Sequence, residues 1–217
     1  ADKKAWGLKA TPYYTRVADY IDAVRCTAAM TGGCPGVNAA TDAFLRLKYA
    51  NQSARLYGVD LSGFVQLASD TAYGDFRLSG LLNYVDGENL DTGDNLYNVM
   101  PLNAKLALTH KKGQWSGTLE GIFVAAKNDV SAVRNALKTA GYGLVNLRAS
   151  HAWKQTQFDF GVENLFNRAY DLPLGGAYLG QGTTMTTATV ATGVVPLWGT
   201  PVPGPGRSIY AGIKVKF

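Results

Sequence analysis

Apolar and polar residues alternate over long stretches of this sequence, and the segment GRSIYAGIKVKF at 206–217 shows it most plainly. From Ile209 to Phe217 every odd position is apolar, whereas the even positions are mostly polar or basic. Side chains alternate across a strand, so this segment has one apolar and one polar face. Such a strand either packs on a soluble core or turns its apolar face to lipid.

The same alternation recurs along the chain and predicts an all-β fold of about eight strands. The segment at 43–68 is interpreted as one long strand, because a set of apolar residues keeps the same odd parity along it and a slip of one residue would exchange the faces. This set consists of Leu45, Leu47, Tyr49, Tyr57, Val59, Leu61, Val65 and Leu67. The predicted strands occupy residues 4–24, 43–68, 75–86, 101–111, 115–128, 142–154, 156–166 and 206–217.

The predicted connections alternate strictly between long loops and short turns. SDTAYG, KKGQ and KQTQ are short, whereas the other connections are long and rich in turn-forming residues, and the one at 129–141 has room for one or two helical turns. Antiparallel barrels of the bacterial outer membrane have short periplasmic turns and long extracellular loops. The pattern predicts a transmembrane β-barrel wall whose C-terminus is periplasmic.

Large aromatic residues mark the periplasmic end of the predicted outward face. Aromatic rings are favoured at the headgroup level of a membrane, whereas a soluble sandwich would hold them in mid-strand within its core. The predicted girdle consists of Trp6, Phe76, Trp115, Trp153, Phe158 and Phe217.

The opposite face is predicted to line the lumen, and it carries scattered basic residues. A basic lumen suits an anionic cargo, but these groups can equally pair with carboxylates of the wall, such as Glu120 and Asp159, or of a polypeptide inside the barrel. The predicted lumen-facing charges are Arg46, Lys48, Lys105, Arg148, Lys154, Lys214 and Lys216.

The two cysteines, Cys26 and Cys34, stand in the loop sequence CTAAMTGGC. In an exported protein this spacing favours a local disulfide. A soft-metal site with Met30 would have too few ligands to be specific, and two free thiols are the remaining alternative.

The sequence does not favour an enzymatic function or nucleic-acid binding. The only histidines, His110 and His151, are predicted on the outward face, away from any pocket and outside a nucleophile or metal-ligand set. The net charge of +5 is spread singly along strands and is not clustered on one element. We therefore predict no catalytic residue, no cofactor, no metal ligand and no nucleic-acid partner.

The segment GVENLFNRAYDLPLGGAY, with PGPGRSIYAGIKVKF at the end, resembles the C-terminal part of TonB-dependent outer-membrane receptors. The resemblance is carried by Glu163 to Asn167, by Tyr170, and by Gly206-Arg207 at the start of the last strand. YYTRVADYID and YNVMPLNAKLAL resemble other strands of the family, and YANQSARLYGVDLSG does so with Asp60 where glutamate is more usual.

The resemblance implies a barrel of about 22 strands around a plug, active uptake of a scarce metal ion or metal chelate, and energy supplied by TonB. Residues 1–217 contain no recognisable plug or TonB box, so the resemblance places them in the C-terminal part of the barrel. It also implies that Phe217 is an outer-membrane assembly signal. The implied partners are outer-membrane lipid, lipopolysaccharide, the rest of the barrel and plug, TonB and the assembly machinery.

A self-contained barrel is the alternative. Eight strands are an even number, and an isolated eight-stranded sheet can close on itself and fill its interior with side chains. Such a protein would have a structural or adhesive role and would not be a transporter.

Overall fold

A computed structural model of the protein describes residues 5–26, 47–176 and 200–216. All of its regular structure is β-strand, as the alternation predicts. The eight strands are β1 (Trp6–Arg25), β2 (Leu47–Thr71), β3 (Gly74–Asn89), β4 (Asn103–Lys112), β5 (Trp115–Val124), β6 (Tyr142–Trp153), β7 (Thr156–Glu163) and β8 (Ser208–Val215).

The strands form a single antiparallel sheet in sequence order, from β1 to β8. The long second strand is confirmed, since β2 runs unbroken through the sequence NQS. Within the described ranges, β1 and β8 are the two edges of this sheet and do not pair with each other. The sheet is therefore open, and the alternative of a self-closed eight-stranded barrel is not the structure that the chain adopts.

The register builds one continuous apolar face. A single row of paired residues crosses all eight strands, and every one of its members is apolar. Most of its side chains are more than a third exposed, and Trp6 is 67% exposed. The row consists of Trp6, Val65, Leu78, Leu108, Leu119, Leu147, Val162 and Ile209.

The buried residues are unlike those of a soluble β protein. In the described part of the chain the buried apolar residues are few, and the only large one that is fully buried is Leu96, which lies in a loop. Polar and charged side chains, among them Gln52, Asn89 and Glu120, are buried instead. The sheet is apolar outside and polar inside, as a membrane barrel requires.

The three short turns lie at one end of the sheet and the long loops at the other. The turns between β2 and β3, β4 and β5, and β6 and β7 have two residues each between paired strands, and Gly113 and Lys154 adopt positive φ angles of 58° and 54° there. A lysine in this region is uncommon, whereas glycine is the usual choice.

The loop at 129–141 holds no helix, contrary to the possibility of helical turns. Only one turn forms, at residues 132–135, and Lys127 and Thr139 join the ends of the loop through a β-bridge. Asp94, in the loop after β3, and Arg25, at the end of β1, bind backbone groups of this turn. Nowhere in the described ranges is there a helix long and apolar enough to cross a membrane.

Glycines on the inner face make room for aromatic rings. A Cβ atom at Gly161 in β7 would lie 2.1 Å from the ring of Tyr210 in β8, whereas the nearest atom to a Cβ at Gly117 in β5 is 3.9 Å away. The ring of Tyr210 therefore lies directly against the backbone of β7.

We predict that Gly161→Ala will displace this ring and destabilise the β7–β8 pair by about 1–3 kcal/mol, the usual cost of overpacking. Gly117→Ala, on the apolar face, is the control, because its methyl group would meet no atom closer than 3.9 Å. The measurement is the temperature at which the purified protein loses its folded, faster-migrating form on SDS-PAGE. Equal transition temperatures for the two variants would contradict the prediction.

Candidate functional site

The polar face carries a charged cluster around Glu120 in β5. Arg148 in β6 donates to both carboxylate oxygens, at 3.0 and 3.3 Å, and Asn146 donates a third hydrogen bond at 2.9 Å. The ammonium of Lys105 in β4 lies 3.7 Å away. One carboxylate, with 7% of its side chain exposed, therefore binds two cations and an amide in the middle of the wall.

The structure places the other predicted lumen charges in different settings. Lys214 makes a 2.9 Å ion pair with Asp159 on the same face as Arg148. Lys48 follows the same alternation in β2, and Lys216 lies just beyond β8. Arg46 lies outside the described residues.

Lys154 departs from the prediction. It occupies the turn between β6 and β7, and its ammonium lies 5.4 Å from the centre of the Trp153 ring. Its backbone has left the strand, so the alternation of β6 does not determine the direction of its side chain. It is a residue of the short-turn end and not of the lumen wall.

Sequence reasoning missed two basic residues, Lys9 and Arg77, that line a groove on the polar face. The guanidinium carbon of Arg77 lies 3.8 Å from the centre of the Phe64 ring. The groove has a volume of about 560 Å³, and a second one of about 940 Å³ adjoins it and shares Phe64 and Arg77. The alternation of β3 indicates that Arg77 lies on the polar face, because Arg77 is odd-numbered whereas most apolar residues of β3 are even-numbered.

The predicted aromatic girdle lies on the apolar face beside the short turns. His110 stacks on Phe76 at 4.4 Å between ring centres, and His151 lies against Trp115 at 4.3 Å. Both histidines are therefore on the apolar face, remote from the grooves. Trp6, Trp153 and Phe158 lie on the same face at the same end, whereas Phe217 is outside the described residues.

At the opposite end, the long loops are joined by a polar network that we call the loop cluster, made of Asp22, Arg25, Asn89, Asp94 and Arg134. Asn89 donates from its amide to Asp22 at 2.9 Å and to Gln52 at 2.8 Å. The guanidinium of Arg134 reaches back to Asp22 at 3.4 Å. The cluster connects β1 and β2 to the loops that follow β3 and β5.

Two members of the loop cluster hold the turn at 132–135 from both sides. Asp94 accepts hydrogen bonds from the backbone N–H groups of Ala132 and Val133, each at 2.9 Å, and from the hydroxyl of Ser131 at 3.1 Å. Arg25 donates to the carbonyl oxygens of the same two residues, with 3.0 Å to Val133. Donors and acceptors of this turn are thus satisfied by residues far away in sequence.

These contacts change the acidity of Asp94. Burial alone would raise the pKa of its carboxyl group, but the hydrogen bonds from Val133, Ala132 and Ser131 outweigh burial and lower the pKa below its usual value. Nearby, burial lowers the pKa of Lys127, whose ammonium donates to the carbonyl oxygen of Pro173 at 3.0 Å. The loops after β5 and β7 are joined by this contact.

Cys26 lies at the end of the sheet that carries the loop cluster. Cys26 follows β1 and is disulfide-bonded, and Cys34 lies outside the described residues. The described ranges contain no group of three or more His, Cys, Asp or Glu residues that could hold a metal ion.

We predict that Glu120→Gln will destabilise the wall by about 1–3 kcal/mol, because the cations of Arg148 and Lys105 lose their shared counter-charge. Asp159→Asn, which removes the partner of the 73%-exposed Lys214, should cost less, since water screens exposed pairs. Thermal unfolding of the purified protein in detergent measures both losses. Equal losses, or a smaller one for Glu120→Gln, would refute the assigned role.

We also predict that Asp94→Asn will release the turn at 132–135 and accelerate amide hydrogen exchange at Ala132 and Val133. The folded-state pKa is lowered, so this stabilisation is complete above the unfolded pKa of about 4 and is lost as the pH falls through the folded value. Asp129→Asn, an exposed change in the same loop, is the control. Unchanged exchange in the Asp94 variant would disprove the role of this carboxylate.

Comparison with known proteins agrees with this architecture. Residues 2–165, more than half of the chain, match the family model described as "TonB dependent receptor-like, beta-barrel". The chain is 29% identical over 178 residues to the heme/hemopexin utilization protein C of Haemophilus influenzae, covering 75% of this chain and 23% of that protein.

A solved structure has the same fold. The chain superposes on the copper transporter OprC with a TM-score of 0.75 and 23% sequence identity, over 100% of this chain and 30% of that one. The chain thus spans less than a third of either relative. The matched family, together with the open, inside-out sheet, establishes that this chain belongs to the TonB-dependent receptors and forms part of their β-barrel.

Proposed function

We propose that this chain is a wall segment of an outer-membrane receptor that takes up a metal-containing cargo, with haem as the first candidate. The likeness to a haem utilization protein is the observation that carries the cargo assignment. The proposal has two parts, which are active uptake of a scarce metal chelate or ion and haem as that cargo.

The distribution of aromatic residues supports an orientation. Trp115 and Trp153 lie on the apolar face beside the short turns, where an interface with water favours their rings. In this orientation the short turns and the C-terminus are periplasmic and the loop cluster is outside the cell. The apolar row contacts lipid, and the residues between this row and the loop cluster contact lipopolysaccharide.

The open sheet edges support further partners. The outer edges of β1 and β8 have backbone donors and acceptors that hydrocarbon cannot satisfy, so we assign them to the remaining strands of the barrel. A plug inside the closed barrel and TonB on the periplasmic side complete the transporter. Phe217 is assigned to recognition by the assembly machinery.

The chemistry of the polar face fits an anionic chelate better than a bare cation. Lys9 and Arg77 line the groove as cations, whereas Lys105 and Arg148 already share Glu120. Haem carries carboxylates, which guanidinium and ammonium groups bind well. The two histidines stack on the apolar face, so they do not reach a cargo in the lumen. Axial ligands for haem iron would come from other parts of the receptor.

We predict that the full-length receptor will bind haemin with a Kd of about 1 µM or lower, in the range of specific ligands. A strain lacking the receptor should lose growth on haemin as the iron source and regain it on complementation, but only if TonB is present. Cu²⁺ and a ferric siderophore are the competing cargoes. Growth on haemin that does not depend on the receptor would refute haem as the cargo.

A further inference from the structure

Two lysines flank the tryptophans at the short-turn end of the apolar face. Lys112 is the last residue of β4 and pairs with Trp115 in β5. Lys154 lies in the turn after β6, and its ammonium is 5.4 Å from the centre of the Trp153 ring. We call Lys112, Trp115, His151, Trp153 and Lys154 the lysine–tryptophan patch.

The two turns that carry these lysines are neighbours. The backbone N–H of Ala152 donates to the carbonyl oxygen of Gln114 at 2.9 Å, which joins the turn after β4 to the end of β6. Between the turns, the ring of His151 lies 4.3 Å from that of Trp115, centre to centre. Nδ1 of His151 is buried without a hydrogen-bond partner in the described part of the chain, so Nε2 is the ring nitrogen that can bind a group at the surface. The patch therefore offers two ammonium groups and an imidazole nitrogen around exposed indole rings.

The positive charge of the patch is not neutralised by the sheet. Strands β4 to β7 contain three carboxylates, Glu120, Asp159 and Glu163. Glu120 and Asp159 make their ion pairs on the polar face, and Glu163 ends β7 next to a long loop. Within the described ranges, neither Lys112 nor Lys154 has an ion-pair partner. The patch thus presents unpaired positive charge at the edge of the apolar face.

We propose that the lysine–tryptophan patch binds the headgroup of an anionic phospholipid in the periplasmic leaflet of the outer membrane. The proposal rests on the orientation proposed above, in which the short turns are periplasmic. Ammonium groups bind phosphate oxygens well, indole rings are favoured at headgroup level, and basic groups at this level attract acidic lipids. The aliphatic stems of the lysines can lie along the indole rings while their charged ends reach the phosphate.

The surface next to the patch selects a lipid over a soluble anion. Further along the same face lie Leu108, Leu119 and Leu147, each more than a third exposed and each part of the apolar row. Acyl chains can cover these side chains while the headgroup stays at the lysines. The ligand that fits both regions is amphipathic, with an anionic end.

The absence of a carboxylate from the patch favours an anionic headgroup over a zwitterionic one. A zwitterionic phospholipid has an ammonium group of its own, which finds no acceptor charge in the patch and competes with Lys112 and Lys154 for the phosphate. The headgroup of phosphatidylglycerol has no such cation and keeps its net negative charge. We therefore expect selectivity for phosphatidylglycerol over phosphatidylethanolamine.

The test is lipid binding to the delipidated full-length receptor, measured by native mass spectrometry with dioleoylphosphatidylglycerol and dioleoylphosphatidylethanolamine. A lysine beside an anionic lipid contributes about fivefold in affinity, so Lys112→Gln and Lys154→Gln should each weaken phosphatidylglycerol binding by about fivefold. The double variant should lose about 25-fold and bind the two lipids equally. Lys112→Arg, which keeps the charge, should retain the selectivity.

The chain offers a matched control in the adjacent lysine of β4. Lys111 lines a groove on the polar face, so Lys111→Gln removes the same charge one residue away and should leave lipid binding unchanged. The folded, heat-modifiable band on SDS-PAGE verifies that each variant has folded. A wild-type receptor without selectivity between the two lipids, or an equal effect of Lys111→Gln and Lys112→Gln, would overturn the proposal.

A competition experiment separates a lipid from a soluble phosphate. Glycerol 3-phosphate has a phosphate group but no acyl chains, so a large molar excess of it should not displace phosphatidylglycerol. Displacement would show that the patch binds a soluble anion, and the lipid assignment would be wrong.

Two further measurements separate this proposal from the function proposed above. Haemin binding should be the same in the wild type and in the lysine variants, and a wild-type receptor that does not bind haemin would refute the cargo while leaving the lipid site intact. Gln155→Cys, in the turn beside Lys154, should not react with an impermeant maleimide on intact cells. Labelling would refute the orientation and with it the periplasmic leaflet, whereas lost lipid selectivity without labelling refutes the patch alone.

Discussion

The whole structure depends on an apolar surface that faces outwards. A row of apolar side chains crosses all eight strands on the exposed side of the sheet, from Trp6 to Ile209, while the other side buries Glu120 and Asn146. In water such a sheet would expose most of its apolar area and bury its most polar groups. In a membrane, hydrocarbon contacts the apolar row, so its exposure carries no cost. Hydrocarbon cannot bind backbone polar groups, so these must pair with a neighbouring strand.

The strands were predictable because a period of two residues specifies pairing, face and register together. The prediction of one strand through NQS succeeded because parity is a local property of β2. The prediction that Lys154 faces the lumen does not hold, because alternation says nothing about a side chain once the backbone has turned with a positive φ angle. Arg77 follows the parity of β3, since it is odd-numbered where most apolar residues of that strand are even-numbered.

The loop cluster could not have been predicted from the sequence. Arg25 contacts Val133 across 108 residues, and Arg134 contacts Asp22 across 112. No periodicity links such positions, and the propensity of SAVRNALK allows helical turns. Instead of a helix, this loop has a turn at 132–135, and Asp94 and Arg25 bind the backbone groups of Ala132 and Val133. Tertiary contacts can override local helix propensity.

The open edges of the sheet indicate what kind of barrel it belongs to. A sheet of eight strands that closed on itself would have an interior filled by its own side chains, with no space for a cargo or a plug. Here β1 and β8 remain apart, and the inner face keeps open grooves beside Phe64 and Arg77. Because this chain forms part of a TonB-dependent receptor barrel, the backbone groups of both edges pair with further strands, since hydrocarbon cannot satisfy them. A barrel with more strands is wider and leaves an interior that its own side chains do not fill.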